Sequence, residues 1–269
     1  MVHKYSRLIL GIEFLVAAAV WLAASSVDDK FHLIACNVGQ GDAILAVYGR
    51  TEILVDGGPD RKVLDCLGKY MPFWDRTIEL VILTHPEKDH YGGLTDVFTR
   101  YHIDNFMFND LQVSSPDYQA LLSLVGGSVG RVIRPLKGQH LRLGLMSLDI
   151  ENPDATPKTE LNLYSVVAEL RFGGFSSLLT GDIPNFTFGA KHHVQYIKVP
   201  HHGSKNGLTA SLLEETTPDL AVISVGVNTY GHPSPETLKM LNEYGVKYLR
   251  TDQVGDVEII SDGKNWKVK

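Results

Sequence analysis

Residues 84–93 read THPEKDHYGG, which sets His85, Glu87, Asp89 and His90 directly behind the apolar run IELVILT. Imidazole nitrogen and carboxylate oxygen are the donors that bind zinc and its first-row neighbours, so the segment offers part of a metal site. The same donor types stand at the ends of other apolar runs. Asp56 closes TEILVDGG, Asp182 closes FSSLLTGD, His201 and His202 follow QYIKVP, and His232 sits in YGHP. Catalytic metal sites are built this way, because rigid elements fix the ligands while loops leave a coordination place open. Taken singly, Asp56 and Asp182 also read as turn formers beside glycine, and His232 before proline as a turn residue. The His201–His202 pair is followed by Gly-Ser, as where backbone must approach a ligand closely. His192 and His193 lack such a setting and read as surface residues.

The elements that must position these side chains are short apolar runs separated by glycine. FHLIACNVG, DAILAVYG and TEILVDGG predict three consecutive strands. PDRKVLDCLGKYMPF predicts a helix, with Val63, Leu64, Leu67 and Met71 on one side. IELVILTH has the unbroken apolar character of a strand buried on both faces. SSPDYQALLSLVGG carries a serine cap, an early proline and a closing glycine pair, the marks of a helix. Residues 131–150 and 163–182 predict further strands, and HVQYIKVP and DLAVISVG flank a helix in GLTASLLEETTP. SPETLKMLNEYG reads as a helix capped by Ser234, with Pro235 in its first turn and a stop at Gly245. YLRTDQVG, DVEIISDG and KNWKVK read as closing strands. Strands interleaved with helices, twice over, fit two stacked sheets with helices outside.

A chain of 269 residues with 44% hydrophobic and 21% charged residues is ordinarily globular. Its net charge of −6 argues against gripping nucleic acid chiefly through overall charge, without excluding a nucleic-acid substrate. Cys36 and Cys66 show neither zinc-finger spacing nor a disulfide framework, and Cys36 reads as a buried small hydrophobe. MVHKYSR is a short basic lead before LILGIEFLVAAAVWLAA, which is apolar apart from Glu13. That length lies between a signal-peptide core and a membrane-spanning helix of about 20 residues. Lys4 and Arg7 on the near side predict export of the chain beyond. Residues 1–27 are thus expected to be a signal peptide or membrane anchor, with a buried amphipathic helix as the alternative that Glu13 keeps open. Residues 28–269 are expected to be the catalytic body, anchored on the extracytoplasmic side of the membrane or secreted.

The H-x-E-x-D-H spacing of residues 85–90 resembles the H-x-H-x-D-H signature of the metallo-β-lactamase superfamily. Within that superfamily VGQGDA, LVDGG, THPEKDHYGG, NLYS, LLTGD, KVPHHGS and YGHP resemble the C-terminal hydrolase domain of ComEC-type competence proteins. The likeness runs from about residue 31 to the C-terminus, in the family's order, and omits the long channel segment. It implies an α+β fold, a four-layer αββα sandwich, and two divalent metal ions, manganese or zinc. Carried over by motif, His85 and Glu87 would hold one ion, Asp89 and His90 the other, and Asp182 would bridge them. His201 or His202, and His232, would complete the shells, with Asp42 and Asp56 orienting ligands from behind. Asn37, where many relatives carry aspartate, is given no role. Glu87 replaces a histidine of the signature, and its harder oxygen shifts preference towards manganese or magnesium. The third-motif histidine is absent, Asn162 lying in that part of the chain, so one ion is expected to be held loosely.

Two ions about 3.5–4 Å apart can share a water and lower its pKa towards about 7. The expected activity is phosphodiester hydrolysis, with DNA favoured by the competence resemblance. Asp89 would orient the attacking water, and His232 or one of the paired histidines would protonate the leaving group. Arg131, Arg134, Lys137 and Arg142 read either as a guide for a phosphate backbone or as a solvated face. Expected partners are DNA or another phosphodiester, the membrane through the N-terminal segment, and a separate DNA-uptake channel protein, with the chain a monomer. The alternatives are hydrolysis of another exported substrate, a phosphorylcholine ester or a β-lactam, and a non-catalytic DNA-uptake binding module.

Overall fold

Alternating residues of the early strands face two different cores, and this fixes the layering. In the computed structural model, which describes residues 10–18, 20–21 and 28–269, the first strands are β1 (Phe31–Ala35), β2 (Ile44–Tyr48) and β3 (Thr51–Val55). Phe31, Leu33, Ile44 and Ile53 point to one side of this meander; Ile34, Leu45 and Leu54 point to the other. β4 (Thr77–Ile82), β5 (His102–Met107) and β6 (Val129–Ile133) then add in parallel. The second half repeats the plan. β7 (His140–Leu143), β8 (Met146–Asn152), β9 (Val167–Phe172) and β10 (Phe175–Leu179) run antiparallel. β11 (Tyr196–Lys198), β12 (Leu220–Ile223) and β13 (Lys247–Arg250) follow in parallel. β14 (Val257–Ser261) and β15 (Trp266–Val268) return to the first sheet beside β1.

The outer faces are covered by helices. α1 (Val63–Tyr70), α3 (Leu94–Arg100) and α4 (Pro116–Ser128) pack on the first sheet through Leu67, Leu94, Phe98, Tyr118 and Leu121; a single turn, α2 (Lys88–Tyr91), precedes α3. α5 (Ala210–Thr216) and α6 (Pro235–Glu243) cover the second sheet through Leu212, Leu213 and Leu241. Between the sheets lie Leu33, Leu80, Leu148, Leu170 and Val222. The result is the expected αββα sandwich. Ser115, Thr209 and Ser234 cap their helices by accepting from Tyr118, Leu212 and Thr237 backbone N–H groups.

Two expectations change. YLRTDQVG is a strand only to Arg250; a helical turn, α7 (Thr251–Val254), follows. There the Thr251 hydroxyl donates to the Val225 carbonyl and accepts from its N–H, turning the chain away from the sheet. Cys36 is not a free hydrophobe: it forms a disulfide with Cys66, joining the end of β1 to α1. Pairing across the helix layer brings together cysteines 30 residues apart, which linear spacing could not show.

Residues 10–18 and 20–21 are helical, and Leu10, Ile12, Phe14, Leu15, Val20 and Trp21 are exposed. Among the described residues no helix is long and apolar enough to cross a membrane. The rest of the expected leader, 1–9, 19 and 22–27, lies outside the described residues. Closing a loop of 30 residues is worth about 3–4 kcal/mol in chain entropy. Replacing both cysteines by serine is predicted to lower the denaturation midpoint accordingly; an unchanged urea midpoint would show that the bridge stabilises nothing.

Candidate metal centre

The donor residues meet because the carboxyl ends of strands from both sheets open onto one edge of the sandwich. Asp56 follows β3, His85 to His90 follow β4, Asp182 follows β10, His201 and His202 follow β11, and His232 follows β12. Three of these side chains sit on left-handed backbone, Asp56 at φ 61°, His201 at 52° and His202 at 53°. For residues other than glycine that conformation costs of order 1–3 kcal/mol each and persists where surrounding structure enforces it.

His90 lies at the middle. Its Nδ1 donates to Asp56 Oδ2 at 2.8 Å, and Asp56 also accepts from the Thr84 N–H and hydroxyl, both at 2.8 Å. His202 donates from Nδ1 to the Ser224 carbonyl at 2.9 Å. The single hydroxyl hydrogen of Thr84 goes to Asp56, so towards His85 Nδ1, 3.0 Å away, Thr84 can only accept. In the neutral form of His90 and His202 the hydrogen is therefore drawn to Nδ1, and Thr84 favours the same in His85, so that Nε2 is the nitrogen free to bind a metal. The Nε2 atoms of His85, His90 and His202 are buried and have no hydrogen-bond partner.

Those nitrogens face carboxylates. Asp182 Oδ2 is 3.4 Å from His90 Nε2 and 3.3 Å from His202 Nε2, and Asp89 Oδ2 is 3.2 Å from His202 Nε2 and 4.0 Å from His90 Nε2. A tetrahedral shell with bonds of about 2.0–2.1 Å has ligand–ligand edges of roughly 3.3–3.4 Å. Asp89, His90 and His202 thus form one donor grouping fit for a divalent ion, and Asp182 Oδ2 lies at such an edge distance from both of its rings. His85 forms a second grouping with His90 and Asp182. Glu87 stands 3.8 Å from His85 Nε2 with its side chain 39% exposed, on the open side of that grouping.

The paired histidines separate in position. His202 is buried among the donors, whereas His201 sits at the rim, 30% exposed and 3.8 Å from Asp182 Oδ2. His232 is further out, its ring 5.6 Å from that of His201. Asp42 lies behind, 3.5 Å from His202 Nδ1 and 3.8 Å from His90 Nδ1. Of the other histidine pair, His193 is exposed, while His192 is half-buried against Glu169 at 2.7 Å.

One central residue was not anticipated. Lys198, the last residue of β11, is fully buried; its ammonium donates to the Gly181 carbonyl at 2.8 Å, to Asp182 Oδ1 at 3.3 Å and to Asp42 Oδ2. The signal was a lysine inside the otherwise apolar YIKVP, immediately before the histidine pair.

Asp42, Asp56, Glu87, Asp89 and Asp182 set five carboxylates against this one ammonium, an imbalance suited to divalent cations. Burial would push the His90 and His202 pKa values down, but the field of Asp182, with Asp56 or Asp42, raises both well above the ordinary histidine value. Burial likewise works against ionised Asp182, yet His202, His90 and Lys198 hold its pKa well below the usual carboxylate range. Burial lowers the pKa values of His201 and His232, so both rings are neutral near pH 7.

A family model for the metallo-beta-lactamase superfamily matches residues 36–227, and the chain belongs to that superfamily, whose members are in general metal-dependent hydrolases. Its relatives include ComE operon protein 3 of Bacillus subtilis (strain 168), 25% identical over 247 residues that cover 82% of this chain and 32% of that protein. Competence protein ComA of Neisseria gonorrhoeae is 24% identical over 234 residues, covering 82% of this chain and 31% of that protein. The chain spans about a third of the length of these relatives. Among solved structures, the metallo-beta-lactamase fold protein YhfI from Bacillus subtilis superposes with a TM-score of 0.58 at 14% identity, covering 85% of this chain and 99% of that one.

Two outcomes are expected. In the metal-free protein, the raised His90 and His202 pKa values contribute stability that is complete below about pH 6.5 and lost as pH rises through their folded values. Depressed Asp182 contributes stability present above about pH 4 and lost as pH falls further. Chelated protein should therefore lose melting temperature in alkaline solution, and saturating divalent metal should remove that loss by standing in for the protons. Lys198→Met leaves buried Asp42 without its cation, and urea unfolding should show a loss of about 3–5 kcal/mol.

Proposed function

We propose that the protein is a metal-dependent phosphodiesterase that acts on DNA in competence-related uptake or processing. The observation that carries the hydrolytic part is the convergence of three buried, unpartnered Nε2 atoms on the Asp182 carboxylate. His90, His202, Asp89 and Asp182 would hold one divalent ion, and His85, Glu87 and Asp182 a second, more open one. When bound, such ions supply Lewis acidity at a phosphoryl oxygen and a water of lowered pKa. The chain does the positioning. Asp56 and the Ser224 carbonyl fix the rings of His90 and His202, and Lys198 fixes Asp182. Asp89, partly exposed beside His202, can orient the attacking water. His232 stands at the rim, where the protonated fraction of its ring, smaller than for a free imidazole because burial lowers its pKa, can pass a proton to the leaving oxygen.

The DNA part rests on similarity to proteins named for competence, and a DNA-uptake channel is the partner that similarity supplies. Export is supported by the Cys36–Cys66 disulfide, since such bridges persist in oxidising compartments. The exposed apolar residues of the N-terminal helical segment suit a membrane tether.

The test is hydrolysis of DNA and of bis-p-nitrophenyl phosphate by the purified protein with manganese, zinc or magnesium. Asp182→Asn is predicted to lower kcat by at least about 100-fold; equal activity in variant and parent would overturn the mechanism. Glu87→His should move the metal preference from manganese towards zinc. An unaltered preference would show that Glu87 is not a ligand.

A further inference from the structure

The rim of the metal centre carries a feature that hydrolysis alone does not use. Tyr230 is 74% exposed, and its ring lies over that of His232 with centroids 5.9 Å apart and planes 25° apart. His232 meets His201 edge-on at 5.6 Å, and His201 Nε2 is 3.8 Å from Asp182 Oδ2. A ladder of rings thus leads from solvent to the metal ligands. Single exposed tyrosines are common and need no explanation, but this one is held in place.

The loop that carries it, VGVNTYGHP, is tied by one side chain. Asn228 Nδ2 donates to the carbonyls of Gly226 and His232, each at 2.8 Å, and its Oδ1 accepts from the N–H groups of Tyr230 and His232 at 3.1 and 3.0 Å. All four hydrogen-bonding positions of that amide are used. The loop is anchored at its base as well, where the Gly226 N–H donates to Gln40 Oε1. A flat ring is therefore presented to solvent on a preformed support at the rim of the site, two rings out from Asp182.

A preformed aromatic face next to a phosphate-handling centre suits a ligand with its own flat ring close to a phosphate. A nucleotide has that shape, and base–aromatic stacking is tolerant of which base is present because every base has a π-face. Resting on the diesterase reading above, we propose that Tyr230 is the outer plate of a nucleobase subsite at the rim, so that the favoured substrate carries an unstacked base along the strand from the bond that is cut. The subsite makes the enzyme selective for nucleic acid among phosphodiesters without reading its sequence.

The experiment compares an oligothymidylate with an oligomer of equal length in which abasic spacers replace the bases. Full-length parent, Tyr230→Ala and Tyr230→Phe are each assayed for hydrolysis with manganese and, separately, for binding by fluorescence anisotropy with the metal chelated. Stacking contributes about 1–3 kcal/mol per base, so the parent should favour the base-bearing oligomer by roughly 5- to 150-fold. Tyr230→Ala should bring that ratio close to one, and Tyr230→Phe, which keeps the ring and loses only the hydroxyl, should retain it. An equal response of the parent to the two oligomers, failure to bind either, or an unchanged ratio in Tyr230→Ala would overturn the subsite. Tyr230-dependent binding with no hydrolysis under any metal would instead support the subsite and defeat the diesterase reading.

Discussion

The two oxygens of Asp182 face different charges, and the site is organised around that division. Oδ1 accepts from Lys198, while Oδ2 points at the Nε2 atoms of His90 and His202. Buried carboxylates are costly unless a positive charge meets them. Lys198 supplies one such charge permanently and from inside the fold. The remainder has to come from outside, as protons on the histidines or as divalent cations. The same field that raises the His90 and His202 pKa values is therefore the field that would attract a metal.

Holding such a group together requires backbone that will not relax. Gly41 packs so closely on the Asp89 carbonyl that an added Cβ would come within 2.2 Å of it, and Gly93 is similarly tight on the Gly57 carbonyl. The Asp42 N–H donates to the Asp89 carbonyl and the Gly57 N–H to the His90 carbonyl, which fastens the three loops to one another. The disulfide secures the start of the Asp42 loop to the helix layer. Stability for this arrangement comes from the three apolar layers, while the sheet edge carries the strain and the unpartnered imidazole nitrogens.

Much of this was legible in the sequence because donors placed at strand ends interrupt apolar runs. Asp56, His85, Asp182 and His202 each break a hydrophobic stretch, and the αββα order follows from the strand and helix signals. Lys198 was not legible in the same way. A lysine in a strand reads as solvent-facing, and its burial depends on Asp42 and Asp182, 156 and 16 residues away along the chain. The division between His201 and His202 was equally hidden, because only the left-handed turn decides which ring faces inward. The disulfide depends on packing between layers that spacing does not encode.

The central claim is that imidazole Nε2 atoms and the Asp182 carboxylate form a divalent-metal site. Metal content after equilibrium dialysis against manganese or zinc tests it most directly, with His202→Ala measured beside the parent. The account predicts at least one tightly held ion per parent chain and its loss in His202→Ala. A parent that retains no metal, or a His202→Ala variant that retains as much as the parent, would contradict it.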